Sequence, residues 1–228
     1  MSATTERRWA DDRGLSAAEL MIGSVISILV LLMASSFFLS GTTSITRSRN
    51  TALDAGTASN AMTEISKVVR SGAPNPVINN ALPDPIFLAA SAESVTLYSY
   101  ADAAVTNTRP MIMQFSLDGS RQLVEKRWAA TSATGGYFTF PDYTTAVPTS
   151  VRTIAGPIGT TPTGKSPLFV YASTAGPLSI TGSGLTLAQR QSVVSVQVTV
   201  RINASGYAGA TGVEMQSTVG LPNLGTGN

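Results

Sequence analysis

The feature that most limits the folding of this 228-residue chain is a run of 27 residues without a charged side chain, from Leu20 to Thr46. About 20 apolar residues suffice for a helix that crosses a bilayer. From Val25 onward the run is apolar on every face, so it requires a large protein core or lipid, and the sequence offers no partner helices for such a core. We therefore predict a membrane-spanning helix, with the apolar residues Leu20, Met21, Ile22, Val25, Ile26, Ile28, Leu29, Val30, Leu31, Leu32 and Met33 at its centre.

Several kinds of membrane segment have this appearance. A cleaved secretory signal has an apolar region of about 7–15 residues, which is shorter than this run. A lipoprotein anchor requires a cysteine, which the chain lacks. An anchor helix, plain or specialised, is what remains. Arg7, Arg8 and Arg13 precede it and Arg47 and Arg49 follow it, so the arginine bias favours a cytoplasmic N-terminus.

The composition excludes most catalytic chemistry. Since the chain has no cysteine and no histidine, it has no Cys/His zinc site, no Cys–His or Ser–His–Asp catalysis and no disulfide bond. The formal net charge of +2 is too small for the usual electrostatic footprint of a nucleic-acid-binding protein. We predict that the protein is not an enzyme and that it holds no metal and no cofactor.

Glu19 lies at the start of the uncharged run, where an ionised carboxylate is costly and therefore suggests a function. If the chain were cut between Gly14 and Leu15, the new α-amino group would lie about one helical turn from Glu19. The two charges would then pair within one subunit or between neighbours and offset part of each other's desolvation. The alternative is that Glu19 simply rests at the level of the lipid headgroups.

Residues 13–21, RGLSAAELM, follow a short charged leader and precede the uncharged helix. In this arrangement the N-terminus resembles the processing signal of type IV prepilins and pseudopilins. The resemblance implies that a membrane aspartyl peptidase cleaves after Gly14 and that Leu15 becomes the mature N-terminus and is N-methylated. It also implies that Glu19, the fifth mature residue, sets the register of assembly. Leu15 stands where that family commonly has phenylalanine.

A Tad-type pilin-like protein begins in a similar way, with glycine, small residues, glutamate and an apolar helix. The small Flp pilins are nearly all helix, whereas the remainder of this chain is long and rich in predicted strands. A Tad-associated pseudopilin remains an alternative.

The sequence allows one long helix, because no proline occurs between Leu15 and Ala73. Gly72 followed by Pro74 gives a stop signal. Past Arg47 the pattern is amphipathic. Its predicted apolar stripe is Leu53, Ala58, Ala61, Met62, Ile65, Val68 and Val69. The predicted divisions are a leader at 1–14, a transmembrane or filament-core helix at 15–40, an amphipathic continuation at 41–72 with a weak point at 40–43, and a β-rich head at 73–228.

The head has the alternation of an antiparallel β structure. We predict strands at 94–100, 111–117, 121–128, 168–172, 194–202 and 213–219, with loops at 130–166 and 173–186. Asp118-Gly119 predicts a type I′ hairpin turn, and 206–212 predicts a glycine-rich one. The fold class is therefore α+β, with a long hydrophobic to amphipathic N-terminal helix packed on an antiparallel sheet. The layout of 61–72, 185–202 and 219–223 is loosely similar to W/J-type minor pilins.

Other motifs carry less weight. Residues 159–166 satisfy the Walker A pattern, but Pro167 and a predicted strand follow in place of the helix that phosphate binding requires.

Carboxylate pairs can serve a glycosidase, yet the acidic residues of the head do not cluster, so we expect solvated side chains. They are Asp84, Glu93, Asp102, Asp118, Glu125, Asp142 and Glu214. Residues 125–128 suggest a contact patch or a solvated face on an edge strand, and Asn203 begins a glycosylation motif.

Taken together, these features favour a structural subunit, a minor pilin or pseudopilin, of a type IV pilus or related filament. Its expected partners are other pilin subunits, the prepilin peptidase and the assembly platform in the cytoplasmic membrane, with any surface or DNA ligand unidentified. We expect it in the cytoplasmic membrane with its N-terminus inside, and then in an extracellular pilus or periplasmic pseudopilus. The alternative is a membrane-anchored binding or adhesion domain, or a hydrolase, whose helix is only a tether.

Overall fold

The computed structural model describes residues 16–101, 109–202 and 212–223. The elements are α1 (Ala17–Arg70), β1 (Phe87–Ala90), β2 (Ser94–Ser99), β3 (Met111–Leu117), β4 (Leu123–Ala129), β5 (Ser132–Thr134), β6 (Tyr137–Thr139), β7 (Ser150–Ala155), β8 (Phe169–Ser173), β9 (Gly176–Pro177), α2 (Leu187–Ser192), β10 (Ser195–Ile202) and β11 (Val213–Gly220). One long N-terminal helix and antiparallel sheets confirm the α+β class. The chain forms two compact units, residues 1–48 and 49–228, and every described strand belongs to the second.

Helix α1 is continuous over 54 residues, so the predicted weak point at 40–43 is not a break. Glycine there costs helix stability, but the neighbouring threonines bond back to the helix. The Thr42 hydroxyl donates to the Phe38 carbonyl at 2.9 Å and the Thr43 hydroxyl to the Leu39 carbonyl at 2.8 Å. The helix ends after Arg70, at the predicted stop signal.

The C-terminal part of α1 supplies one side of the core of residues 49–228. The predicted stripe is correct except at its N-terminal end, where Leu53 is 61% exposed and Asp54 is buried instead. The core therefore begins one helical turn later than the apolar pattern suggests. Its fully buried helix residues are Ala58, Ala61, Ile65, Val68 and Val69.

Two sheets provide the other sides of this core. Among the described residues, five strands form an antiparallel sheet in the order β1-β2-β3-β4-β7, and four form a second in the order β11-β10-β8-β9. Leu97 and Phe115 of the first sheet and Val196 and Val198 of the second lie in one apolar cluster with the helix. The alternation that predicted a half-buried strand at 194–202 thus places its valines in the core. The predicted turn at 206–212 lies outside the described residues, except for Gly212.

The hairpin between β3 and β4 forms as predicted, but its turn is not type I′. That type requires positive φ at both central residues, whereas here the residue with positive φ is Arg121, at 58°. The Asp118 carboxylate accepts hydrogen bonds from the amides of Ser120 (2.9 Å) and Gln122 (2.7 Å). The Arg121 side chain donates to the Ile158 carbonyl at 2.8 Å, so tertiary contacts stabilise its backbone conformation.

The two segments predicted as loops contain further strands. Residues 130–166 include β5, β6 and β7, and residues 173–186 include β9. Most of β7 is exposed, and it lies at the edge of its sheet. Its sequence therefore lacks the apolar alternation from which a strand is predicted. The β5–β6 hairpin is likewise largely exposed.

A network of ion pairs joins α1 to the first sheet. Glu125 on β4 is fully buried, and Arg127, two residues along the same strand face, donates to its Oε1. Arg152 on β7 donates from Nη2 to Glu125 Oε2 at 2.7 Å and to Glu64 Oε1 on the helix at 2.6 Å. Hydrogen bonding to Glu125 raises the pKa of Arg152 above its ordinary value.

We expect Arg152→Ala to lower the free energy of unfolding by about 1.5–3 kcal/mol, because the buried Glu125 carboxylate loses one of its charge-assisted bonds. The measurement is denaturant unfolding of the full chain in a non-ionic detergent. Glu93→Ala is the matched control, since it removes an ion pair with Arg121 in which the carboxylate is 47% exposed. It should change stability by less than about 1 kcal/mol. Equal effects of the two substitutions would contradict a structural role for the network.

Candidate functional site

The candidate site is the N-terminal segment that the sequence singles out. Gly14 and Leu15, the predicted cleavage and methylation positions, lie outside the described residues. The described residues begin at Ser16, so Glu19 and the apolar residues of α1 are the members of the predicted site that fall within them.

Glu19 is part of a reciprocal cap at the start of α1. Its carboxylate accepts a hydrogen bond from the Ser16 amide at 3.0 Å, and the Glu19 amide donates to the Ser16 hydroxyl at 3.3 Å. Together these bonds form a capping box, which satisfies two backbone donors at a helix N-terminus. The carboxylate also lies at the positive end of the helix dipole, which favours its charge.

This capping role was not among the predictions, although the sequence carries a signal for it. Ser16-x-x-Glu19 directly before an apolar run has the capping-box spacing. The capping box explains a glutamate at position 19 without a partner molecule. It also holds the carboxylate on the amide of Ser16, the residue that follows Leu15 in the sequence.

The apolar residues of α1 are exposed in the first unit. All described residues from 16 to 48 are exposed, and the predicted apolar set, Leu20 to Met33, is between 50% and 71% exposed. Phe37, Phe38, Leu39 and Ile45 extend the same surface. A contiguous apolar surface of this extent marks a site of contact with a membrane or with other protein.

Several hydroxyl side chains within this segment bond to their own helix. Ser24 donates to the Met21 carbonyl at 2.8 Å and Ser27 to the Gly23 carbonyl at 2.8 Å. Ser36, Thr42, Thr43 and Thr46 do the same with carbonyls three or four residues back. In hydrocarbon every polar group must be satisfied within the protein, and these six hydroxyls meet that requirement without a partner from outside the helix.

By length and composition, α1 is able to cross a membrane. The predicted spanning helix is confirmed to that extent. Beyond this coarse property, the cap and the exposed apolar surface are what the N-terminal segment offers chemically, and neither holds a reactive group.

The Walker A match is not a phosphate site in this fold. Its eight residues form turns and irregular structure that lead into strand β8, so the helix N-terminus needed to bind phosphate is missing there. The Lys165 amide donates to the Pro162 carbonyl at 3.1 Å within a local turn, and Arg201 donates to the Ser166 carbonyl at 2.6 Å. The segment is a structural loop.

The acidic residues of the head prove more diverse than predicted. Glu93 and Glu214 pair with Arg121 and Arg201 at the surface, and Asp118 binds its turn as expected. The remaining described candidates are Asp84, Glu125 and Asp142, while Asp102 and Asn203 lie outside the described residues. No group of three or more acidic side chains suited to a metal occurs in the described part of the chain.

For Glu125, both sequence interpretations were wrong. Residues 125–128 are not on an edge strand, because β7 pairs with β4 on its outer side. Glu125 and Trp128 are buried, and neither a contact patch nor a solvated face fits them. The short charged motif contains Arg127, which bonds Glu125, but Arg152 and Glu64, which complete the network, come from β7 and α1.

Asp84 and Tyr98 form a polar contact at the border of the head. The Tyr98 hydroxyl donates to Asp84 Oδ2 at 3.4 Å. Burial, followed by the negative charge of Asp84, raises the pKa of Tyr98 from 10.0 to about 12. Burial also raises the pKa of Tyr171.

We expect Tyr98 to contribute to alkaline unfolding. Its pKa is higher in the folded state, so its stabilising contribution is complete below about pH 10 and is lost as the pH rises toward 12. One tyrosine whose pKa is raised in this way makes the unfolding free energy fall more steeply with pH, by up to ~1.4 kcal/mol per pH unit. Denaturant unfolding of the full chain and of Tyr98→Phe across this range measures the difference. The variant should show a shallower fall, and parallel curves would be evidence against the shift.

No protein-family model matches the chain, and no curated protein sequence matches it.

Proposed function

We propose that this protein is a pilin-like subunit, a minor pilin or pseudopilin, that assembles through α1 into a type IV pilus or a related filament. The observation that carries the proposal is the spacing of Gly14, Leu15 and Glu19 ahead of a helix that is apolar and exposed on every face. The peptidase would cut after Gly14, and the assembly platform would move the subunit from the cytoplasmic membrane into the filament.

The exposed surface of the segment supports this proposal. A helix of this kind is compatible with two apolar environments in turn, first lipid and then the helices of neighbouring subunits. The hydroxyls of Ser24, Ser27 and Ser36 bond within the helix, so they require no new polar partners when lipid is exchanged for protein.

The geometry at Ser16 and Glu19 supports the assembly role of the carboxylate. Glu19 Oε2 already accepts a bond from the amide next to Leu15. A positive amine at Leu15, from the same subunit or a neighbour, would give this carboxylate a partner of opposite charge in a medium of low dielectric constant. Removal of one partner of such a pair is strongly destabilising, because the other charge is left without compensation.

The first test is the mature N-terminus of the protein isolated from the cells that make it. We expect mass spectrometry to find a chain that begins at Leu15, and Gly14→Val to retain residues 1–14. Gly41→Ala is the control for glycine replacement, because a side chain there meets no atom within 4 Å. A wild-type chain that still begins at Met1 or Ser2 would refute processing.

The second test separates the charge of Glu19 from its cap. Glutamine at this position preserves the capping box, so Glu19→Gln removes only the charge. We expect normal cleavage but incorporation into sheared filaments reduced about tenfold or more, equivalent to ~1.4 kcal/mol. Ser16→Ala is the matched control, since it removes the capping hydroxyl and keeps the charge, and it should incorporate nearly normally.

Other outcomes identify the alternatives. Normal incorporation of Glu19→Gln together with a defect in Ser16→Ala would make Glu19 a helix cap and nothing more. A tether predicts that the domain keeps its full function when an unrelated spanning helix replaces residues 15–48, and such a result would refute the assembly role of α1.

A further inference from the structure

A cleft of about 510 Å³ lies in the second unit, lined mainly by apolar side chains, five of which are aromatic. The aromatic rings come from β2, from the β5–β6 hairpin and from the segment that follows it. They are Tyr98, Tyr137, Phe138, Phe140 and Tyr143. Clefts of this size with apolar walls and a few polar groups are the usual form of small-ligand sites.

The aromatic walls are held in place by contacts with the sheet. The rings of Tyr98 and Phe140 lie 5.0 Å apart, and Tyr143 packs edge-on against Trp128 at 6.2 Å. Trp128 is buried and donates from Nε1 to the Ala146 carbonyl at 3.0 Å. Tyr137, by contrast, is 38% exposed, so its ring is available at the mouth of the cleft.

Two polar side chains of the cleft are incompletely used by the fold. Asp84 Oδ2 accepts only long hydrogen bonds from neutral donors among the described residues, from the Tyr98 hydroxyl at 3.4 Å and from Asn75 Nδ2 at 3.5 Å. Asn75 Oδ1 is buried and has no hydrogen-bond donor in the part of the chain described here. A buried acceptor without a donor is destabilising, so a ligand that brings donors gains from it.

The charged side chains among the described residues that line the cleft are both carboxylates. None of the described residues that line it is a lysine or an arginine. Asp142, the second carboxylate of the lining, already accepts bonds from the Thr144 amide at 3.0 Å and the Thr144 hydroxyl at 2.7 Å. Asp84 is therefore the negative group left for a ligand, beside rings whose faces also attract cations.

We propose that this cleft binds an alkylammonium group, a protonated primary amine on an apolar stem. The ammonium would donate hydrogen bonds toward Asp84 and Asn75 and approach the faces of the tyrosine and phenylalanine rings, while the stem packs against the apolar wall. A neutral polyol would supply donors without the charge, and an anion would be repelled. This inference is independent of the assembly proposed above.

Both a free amine and a lysine side chain carry this group. The experiment therefore uses the full chain in maltoside detergent with small probes, and ligand-observed NMR measures their dissociation constants. We expect n-pentylammonium to bind about tenfold or more tightly than n-pentanol, which has the same stem but no charge. Tetramethylammonium, which has the charge but no N–H donor, should bind more weakly than n-pentylammonium.

Asp84→Asn should abolish the preference for n-pentylammonium over n-pentanol. Glu93→Gln is the matched control, because it makes the same change of charge at a surface carboxylate outside the cleft, and it should leave the preference intact. Tyr137→Ala removes an exposed ring and is therefore compatible with folding even if the Asp84 variant is not. It should weaken n-pentylammonium binding at least about threefold.

The source of the amine is distinguished by a further pair of probes. Nα-acetyl-lysine methylamide is compared with Nα-acetyl-norleucine methylamide, which lacks the ammonium group. Preference for the lysine probe over n-pentylammonium would assign the cleft to a protein side chain, and the reverse would assign it to a free amine. Equal binding of n-pentanol and n-pentylammonium, tighter binding of a methyl glycoside than of either, or an unchanged preference in a folded Asp84→Asn chain would overturn the proposal.

Discussion

The constraint on which the rest of the structure depends is that the apolar surface of the first part of α1 needs an apolar medium on all sides. Water is unfavourable for side chains this exposed, and no strand lies in the described part of their unit. The backbone is satisfied by the helix, and several of the hydroxyls donate to its carbonyls. This part of α1 is therefore an apolar helix with a capped N-terminus, and the carboxylate of Glu19 is its ionisable group between residues 16 and 46.

Farther along, the same helix meets the opposite requirement. From Asp54 onward one side of α1 is buried against two sheets, and Glu64 finds its partners there. Glu64 bonds Arg152, which also holds the buried Glu125. Buried charges of this kind are tolerated only with good hydrogen bonding, which here requires α1, β4 and β7 together.

Sequence reasoning succeeded where a single local pattern decides the structure. The uncharged run, the absence of proline and the alternation of valines gave the long helix and the central strands correctly. It failed where local patterns were weak or tertiary contacts won. The edge strand β7 has no apolar alternation. Arg121 rather than Gly119 takes the positive φ, because distant carbonyls bind its side chain. Glu125 is buried because its partners include Arg152, which is remote in the chain.

By itself, the sequence determined that the chain has a helix able to span a membrane, an antiparallel β head and no Cys- or His-based chemistry. These follow from composition and from periods of two and of 3.6 residues, which are local properties. Only the tertiary structure decided that Glu125 lies at the centre of an ion network and that five aromatic rings line a cleft together with Asp84. These depend on distances between atoms, most of them between residues far apart in the chain, and no local pattern encodes such distances.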